Sequence, residues 1–185
     1  MDREKESLCS SSKMFGFAIL AALMGLASAQ RNAIVSLSDP AGVNGVYGNL
    51  SFESGVASVR IIGEVSGLSP GNHGLHIHQY GNIGSGCLAT GGHFNPFGMN
   101  HGAPYDVDRH VGDLGNIEAD EYGIARVDIE DCVIGLLGVD AIMGRGVVVH
   151  AGEDDLGRGG QSDSLTTGHA GARLACGVIG VLTEQ

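Results

Sequence analysis

The chain has 185 residues, including 32 glycines and no tryptophan, and a formal net charge of −11; that length suffices for one domain with a buried core, with or without a targeting segment. From residue 30 onward there are 7 arginines, no lysine and 18 acidic residues, so the entire charge, 7 − 18 = −11, lies in the body of the chain. Such a surface repels nucleic acid and anionic lipid and excludes both as electrostatic partners.

Phe15 to Ala27 is an apolar run preceded by Lys13 and followed by Ala27-Ser28-Ala29. It is too short for a comfortable membrane span, which takes ~20 apolar residues. A small-x-small sequence after it reads as a signal-peptide cleavage site. Residues 1–29 are therefore expected to be a signal peptide, with Met14 an alternative start, and residues 30–185 the mature, secreted domain. Export into an oxidising compartment suits a disulfide. Cys87 and Cys176 both flank glycine-rich turns and are expected to pair, leaving Cys132 as a buried thiol, although the residues leave other pairings open.

The body begins with short strand patterns. Residues 33–37 form an apolar-rich run ended by Asp39-Pro40, and residues 46–52 alternate, with Leu50 and Phe52 on one face and Asn49 and Ser51 on the other. Asn49-Leu50-Ser51 is also an N-glycosylation sequon on the face expected to be exposed. A third strand spans residues 57–65, and Gly67-Leu68-Ser69-Pro70-Gly71 turns the chain into a fourth at 74–78. From Gln79 to Arg109 periodicity gives way to glycine, asparagine and proline. Strands resume at 112–118, 123–129 and 146–150, and a second long loop, 151–171, precedes the last, 173–181. Eight short strands with two long loops predict an all-β sandwich or Greek-key barrel.

Chemistry concentrates between His76 and Asp113. His76 and His78 stand two apart on a strand and so point the same way, with Leu75 and Ile77 turned to the core. His93, His101, His110 and Asp113 lie in a loop able to wrap an ion, and His150 ends a Val-Val-Val strand. Four imidazoles suit Cu(II), and three imidazoles with a carboxylate suit zinc. Two such sites sharing one histidine need 4 + 4 − 1 = 7 ligands, the number these residues supply. His73 and His169 are expected to be ordinary surface residues.

Gly74-Leu75-His76-Ile77-His78, Gly92-His93-Phe94-Asn95-Pro96, Arg109-His110-Val111-Gly112-Asp113-Leu114-Gly115-Asn116, Val148-Val149-His150 and Gly171-Ala172-Arg173-Leu174-Ala175-Cys176-Gly177 resemble the copper/zinc superoxide dismutases closely. The resemblance spans residues 32–185 and, with the signal, points to a secreted member. It implies an eight-stranded Greek-key β-barrel, a flattened immunoglobulin-like sandwich, with two long functional loops. It implies copper on His76, His78, His93 and His150, and zinc on His93, His101, His110 and Asp113, with His93 bridging. It further implies a Cys87–Cys176 disulfide, Arg173 as the cation beside copper, and Asp154 as the carboxylate joining one histidine of each site. The implied activity is disproportionation of superoxide to dioxygen and hydrogen peroxide by cycling Cu(II)/Cu(I), an antioxidant defence outside the cell. In it, His93 carries a proton to the product.

A homodimer is implied as well, with Gly81, Met143 and Val178–Val181 at the contact, and a copper donor acting during maturation. The chain departs from cytosolic members in having Gly152 and Thr166 where they carry channel-mouth lysines, which predicts a shallow salt dependence. Two other readings compete. A zinc hydrolase built on three histidines leaves three ligands unused and has no evident general base. A secreted copper/zinc-binding or copper-delivery protein without catalysis has no use for Arg173.

Overall fold

The structure, a computed structural model, describes residues 32–182; the signal-peptide expectation falls outside them. Nine strands follow in chain order: β1 (Asn32–Ser38), β2 (Tyr47–Ser54), β3 (Val59–Ser66), β4 (Gly71–His78), β5 (Asp113–Ala119), β6 (Ile124–Asp131), β7 (Gly146–His150), β8 (Arg173–Val178) and β9 (Gly180–Leu182). A 3-10 helix at Cys87–Thr90 lies in the first long loop and a one-turn helix, α1 (Ser164–Thr167), in the second.

All pairings are antiparallel, in the order β2-β3-β6-β5-β4-β7-β8-β1, and β1 returns to β2. The sheet is thus a closed eight-stranded barrel, which removes exposed sheet edges. β9 is additional to it and extends the β8 edge along β1. The sequence pattern reads β8 and β9 as one strand. The break falls at Ile179, whose side chain is buried and whose N–H donates to the Arg145 carbonyl instead of to β1.

Alternation explains most of the barrel. Ala33, Val35 and Leu37 of β1 and Leu50 and Phe52 of β2 are buried while their neighbours face out. Burying each large apolar side chain contributes roughly 1.5–3 kcal/mol. β4 and β7 differ, because both of their faces are covered. Leu75, Ile77, Val147 and Val149 enter the main core, whereas Val148 packs with Cys87 and Cys176 under the first long loop. That second cover is what buries His76, His78 and His150.

Two expectations are corrected here. His73 is not a surface residue: β4 begins at Gly71, so His73 shares the inward face of Leu75 and Ile77 and is buried. Its Nδ1 lies 2.8 Å from the His150 carbonyl and its Nε2 2.8 Å from the Ser69 carbonyl. It thereby ties the turn before β4 to the end of β7. Cys132 is not a buried thiol. It follows the last residue of β6, where the chain turns outward and leaves it only partly covered, and no cysteine among the described residues is free.

Candidate metal centre

Three strands and the first long loop converge outside the barrel wall. β4 presents His76 and His78, β7 presents His150, the first long loop brings His93, His101 and His110, and β5 opens with Asp113. One atom from each of His76, His78, His93 and His150 falls within 4.8 Å of the others, and the same holds for His93, His101, His110 and Asp113. All seven residues are buried and His93 belongs to both groups.

The hydrogen bonds decide which ring nitrogen each histidine turns inward. His78 Nδ1 donates to the Gly91 carbonyl at 2.9 Å and His150 Nδ1 to the Gly171 carbonyl at 3.2 Å. Their Nε2 atoms then face each other across 3.4 Å. His76 Nε2 and His101 Nε2 donate to the two oxygens of Asp154 at 2.8 and 2.7 Å, which turns Nδ1 of each inward. Around Asp113 Oδ1 stand His93 Nδ1 at 2.8 Å, His101 Nδ1 at 2.9 Å and His110 Nδ1 at 3.1 Å. Its Oδ2 accepts the backbone N–H of His110 and of Gly102.

Among the described residues three buried nitrogens have no hydrogen-bond partner: His76 Nδ1, His93 Nε2 and His101 Nδ1. His101 Nδ1 approaches Asp113 closely, yet outside hydrogen-bond alignment. Buried polar atoms left in this way are costly, roughly 1–3 kcal/mol each, and here they aim into the two clusters. Convergent, orphaned nitrogens whose opposite nitrogens are hydrogen-bonded are the arrangement a metal ion satisfies. The four-imidazole group fits copper and the three-imidazole, one-carboxylate group fits zinc.

Electrostatics agree with that donor set at the four-imidazole group. Burial drives His76 and His78 well below the ordinary imidazole range, with the neighbouring His93 adding to it. Burial lowers His150 to about 4, partly opposed by the Gly171 carbonyl, and it lowers His93 despite the bond to Asp113. These rings are neutral near pH 7, as ligands must be. Burial also acts on His101, but Asp113 and Asp154 outweigh it and raise that ring to about 9. Burial alone would raise Asp113 and Asp154, yet the bonds from the histidines hold both carboxylates below their usual range.

Support comes from residues that sequence reasoning did not single out. Asn116 exchanges two hydrogen bonds with the backbone of Asp154, at 2.8 and 2.7 Å. Gly168, at φ 64°, passes so close that a Cβ there would strike Asp154 Oδ1 and His101 Nε2. Arg109 is buried, pairs with Asp131 at 2.7 Å and donates to the carbonyls of Pro104, His110 and Val111, fixing the backbone around His110. Its place immediately before His110 is the only signal the sequence offers. His169 stays outside, exposed and bonded to Asp163.

Arg173 opens β8 beside the four-imidazole group, near enough to His78 and His150 to oppose their protonation. Its Nη1 donates to the Cys87 and Leu88 carbonyls and to Thr90 Oγ1, at 2.9, 3.3 and 3.0 Å. Cys87 is itself held by the disulfide to Cys176, with Cα atoms 5.6 Å apart.

Asp154 joins His76 of the four-imidazole group to His101 of the other, so its removal has a specific signature. Asp154→Asn is expected to weaken zinc binding by ~10–100-fold, the range found when a ligand's outer partner is lost. Chelator competition measures this; an unchanged zinc affinity would show that Asp154 does not orient His101.

The family model described as copper/zinc superoxide dismutase (SODC) matches residues 46–179. Over 124 residues the chain is 59% identical to a Haemonchus contortus protein named extracellular superoxide dismutase [Cu-Zn], covering 67% of this chain and 68% of that one. A crystal structure of the clock protein EA4 superposes with a TM-score of 0.78 at 42% identity, covering 89% of this chain and 100% of that chain.

Proposed function

The chain belongs to the copper/zinc superoxide dismutase family, and from that premise we propose that the histidine cluster is its active centre, with a role for each residue. The protein is a secreted superoxide dismutase that binds copper and zinc and converts superoxide to dioxygen and hydrogen peroxide. His76, His78, His93 and His150 hold copper, and His93, His101, His110 and Asp113 hold zinc. The observation that carries this assignment is the set of three buried, partnerless nitrogens aimed into the two groups.

When bound, copper supplies a one-electron couple and zinc a fixed, redox-silent positive charge. Arg173 docks the superoxide anion: three bonds fix its Nη1, and Nη2 has no protein partner among the described residues. His93 handles a proton at Nε2, the nitrogen without a partner, while Asp113 holds its Nδ1 side. Asp154 keeps His76 and His101 in the tautomers that face inward. The product needs two protons, one held at His93 and one drawn from water.

Residues 1–29 act as the signal peptide in this reading, and a copper donor serves maturation. A homodimer forms through the outer face of β1, β8 and β9, where Ile34, Val178 and Leu182 are exposed, with the exposed Val181 opposite Ala33 at its margin and Gly81 and Met143 flanking it. Gly81 lies against this face, since a Cβ there would meet Val178 and the Gly144 carbonyl.

The test is metal analysis joined to a superoxide assay on secreted protein. One copper and one zinc per chain are expected, with activity lost on copper chelation and regained on adding copper. Zinc alone, or activity indifferent to copper, overturns the assignment.

A further inference from the structure

We propose that Asn49 carries an N-linked glycan standing over the outer face of β1, β8 and β9, and that its occupancy sets the balance between monomer and dimer. The second half rests on the dimer face described under Proposed function; the first half does not.

Asn49 is exposed in the middle of β2, and Ser51, the hydroxyl residue of its sequon, lies on the same outer side with Leu50 buried between them. The Asn49 side chain makes one hydrogen bond, its Oδ1 accepting from Ser36 Oγ at 2.7 Å. Nδ2, the atom that takes the sugar, has no protein partner among the described residues. Asn49 pairs with Ser36 of β1 on one side and Glu64 of β3 on the other. Both are exposed and polar, so no apolar neighbour covers the amide and the folded barrel leaves room for a sugar. Export places the nascent chain where the donor is available. Nδ2 attacks the anomeric carbon of an oligosaccharide carried on a polyprenyl diphosphate. The C–N bond forms, the bond from that carbon to the diphosphate oxygen breaks, Nδ2 loses one proton and the lipid diphosphate leaves.

Register places this sugar beside the apolar face. Ile34 stands opposite Ser51 on one edge and Gly180 on the other. On that same outer side Ser36 is followed, one strand further on, by the exposed end of β8 at Val178. Asn49 is thus two strand spacings, about 10 Å, from Val178. A branched oligosaccharide rooted there overhangs Ile34 and Val178 and occupies space that a second copy would need. A bare Asn49 leaves the face open.

The experiment uses secreted wild-type protein, Asn49→Gln, Ser51→Ala and Ser51→Thr. Ser51→Thr keeps the sequon, and Ser51→Ala removes it while retaining the Asn49–Ser36 bond. Peptide mass spectrometry before and after glycan removal should find the sugar on Asn49 in wild type and Ser51→Thr, and none in the other two. Sedimentation over a concentration series should show the glycosylated forms dissociating at about tenfold or higher concentration than Asn49→Gln and Ser51→Ala, a difference of about 1.4 kcal/mol. An unmodified Asn49 peptide in wild type overturns the site. A glycosylated wild type that dimerises as tightly as the bare variants overturns the regulatory half. Neither readout depends on catalysis, so neither result can be confused with failure of the metal assignment.

Discussion

Arg173→Ile is expected to lower kcat/KM for superoxide by about 10–100-fold, the range set by losing one charge-assisted contact worth ~1.5–3 kcal/mol. Metal content should not change, because Arg173 touches no nitrogen that turns toward either ion. The argument rests on charge placement. Arg158, the arginine of the second long loop, is paired with Asp106 at 2.8 Å and held there, so its charge is largely cancelled. Gly152 and Thr166 supply no charge. Among the described residues Arg173 is then the cation of this loop region without an acidic partner, set in a chain of net charge −11. Long-range steering is weak in such a field, so kcat/KM should fall only shallowly with added salt. Rates measured by stopped flow at several ionic strengths test both points. Full activity in Arg173→Ile would remove its docking role, and a steep salt dependence would mean that cations elsewhere steer the substrate.

The second large effect concerns the disulfide. Cys176→Ala is expected to destabilise the protein by up to about 4–5 kcal/mol in the loop-entropy account, given the 89-residue separation of the two cysteines. It should also reduce activity in protein that is still folded. Cys87 opens the 3-10 helix whose Cys87 and Leu88 carbonyls and Thr90 hydroxyl hold Arg173 Nη1. Releasing Cys87 frees that helix and with it the orientation of the guanidinium. Thermal unfolding gives the first effect. The second is read as kcat/KM well below the new midpoint, at matched metal content. If folded Cys176→Ala works as fast as wild type, the disulfide is a stabilising clasp only and does not position Arg173.

Much of this is legible before folding is considered. The alternation in residues 33–37 and 46–52 places Val35, Leu50 and Phe52 inside because a strand repeats every two residues. The same rule puts His76 and His78 on one side of β4. It fails for His73, since the reading ends the strand at Gly74 and so misses that His73 shares the core face. It fails differently at Ile179, where a backbone bond to Arg145 outweighs continuous pairing with β1. Arg109 and Asn116 sit inside motifs without drawing attention, because what matters is what they grip: Asp131 and Asp154, which are 22 and 38 residues away.

The sequence by itself determined what local pattern can carry: short strands, two ligand-rich loops, and imidazoles and a carboxylate in numbers and kinds suited to two metal ions. Their meeting is a property of the closed barrel. His150, Asp154, Arg173 and Cys176 reach the His76–Asp113 region because β7 pairs with β4 and β8 pairs with β7. The choice of ring nitrogen is tertiary as well, made by the Gly91 and Gly171 carbonyls and by Asp154. Side-chain direction along a strand follows from local geometry, whereas a hydrogen bond between residues far apart in the chain exists only once folding has brought them together.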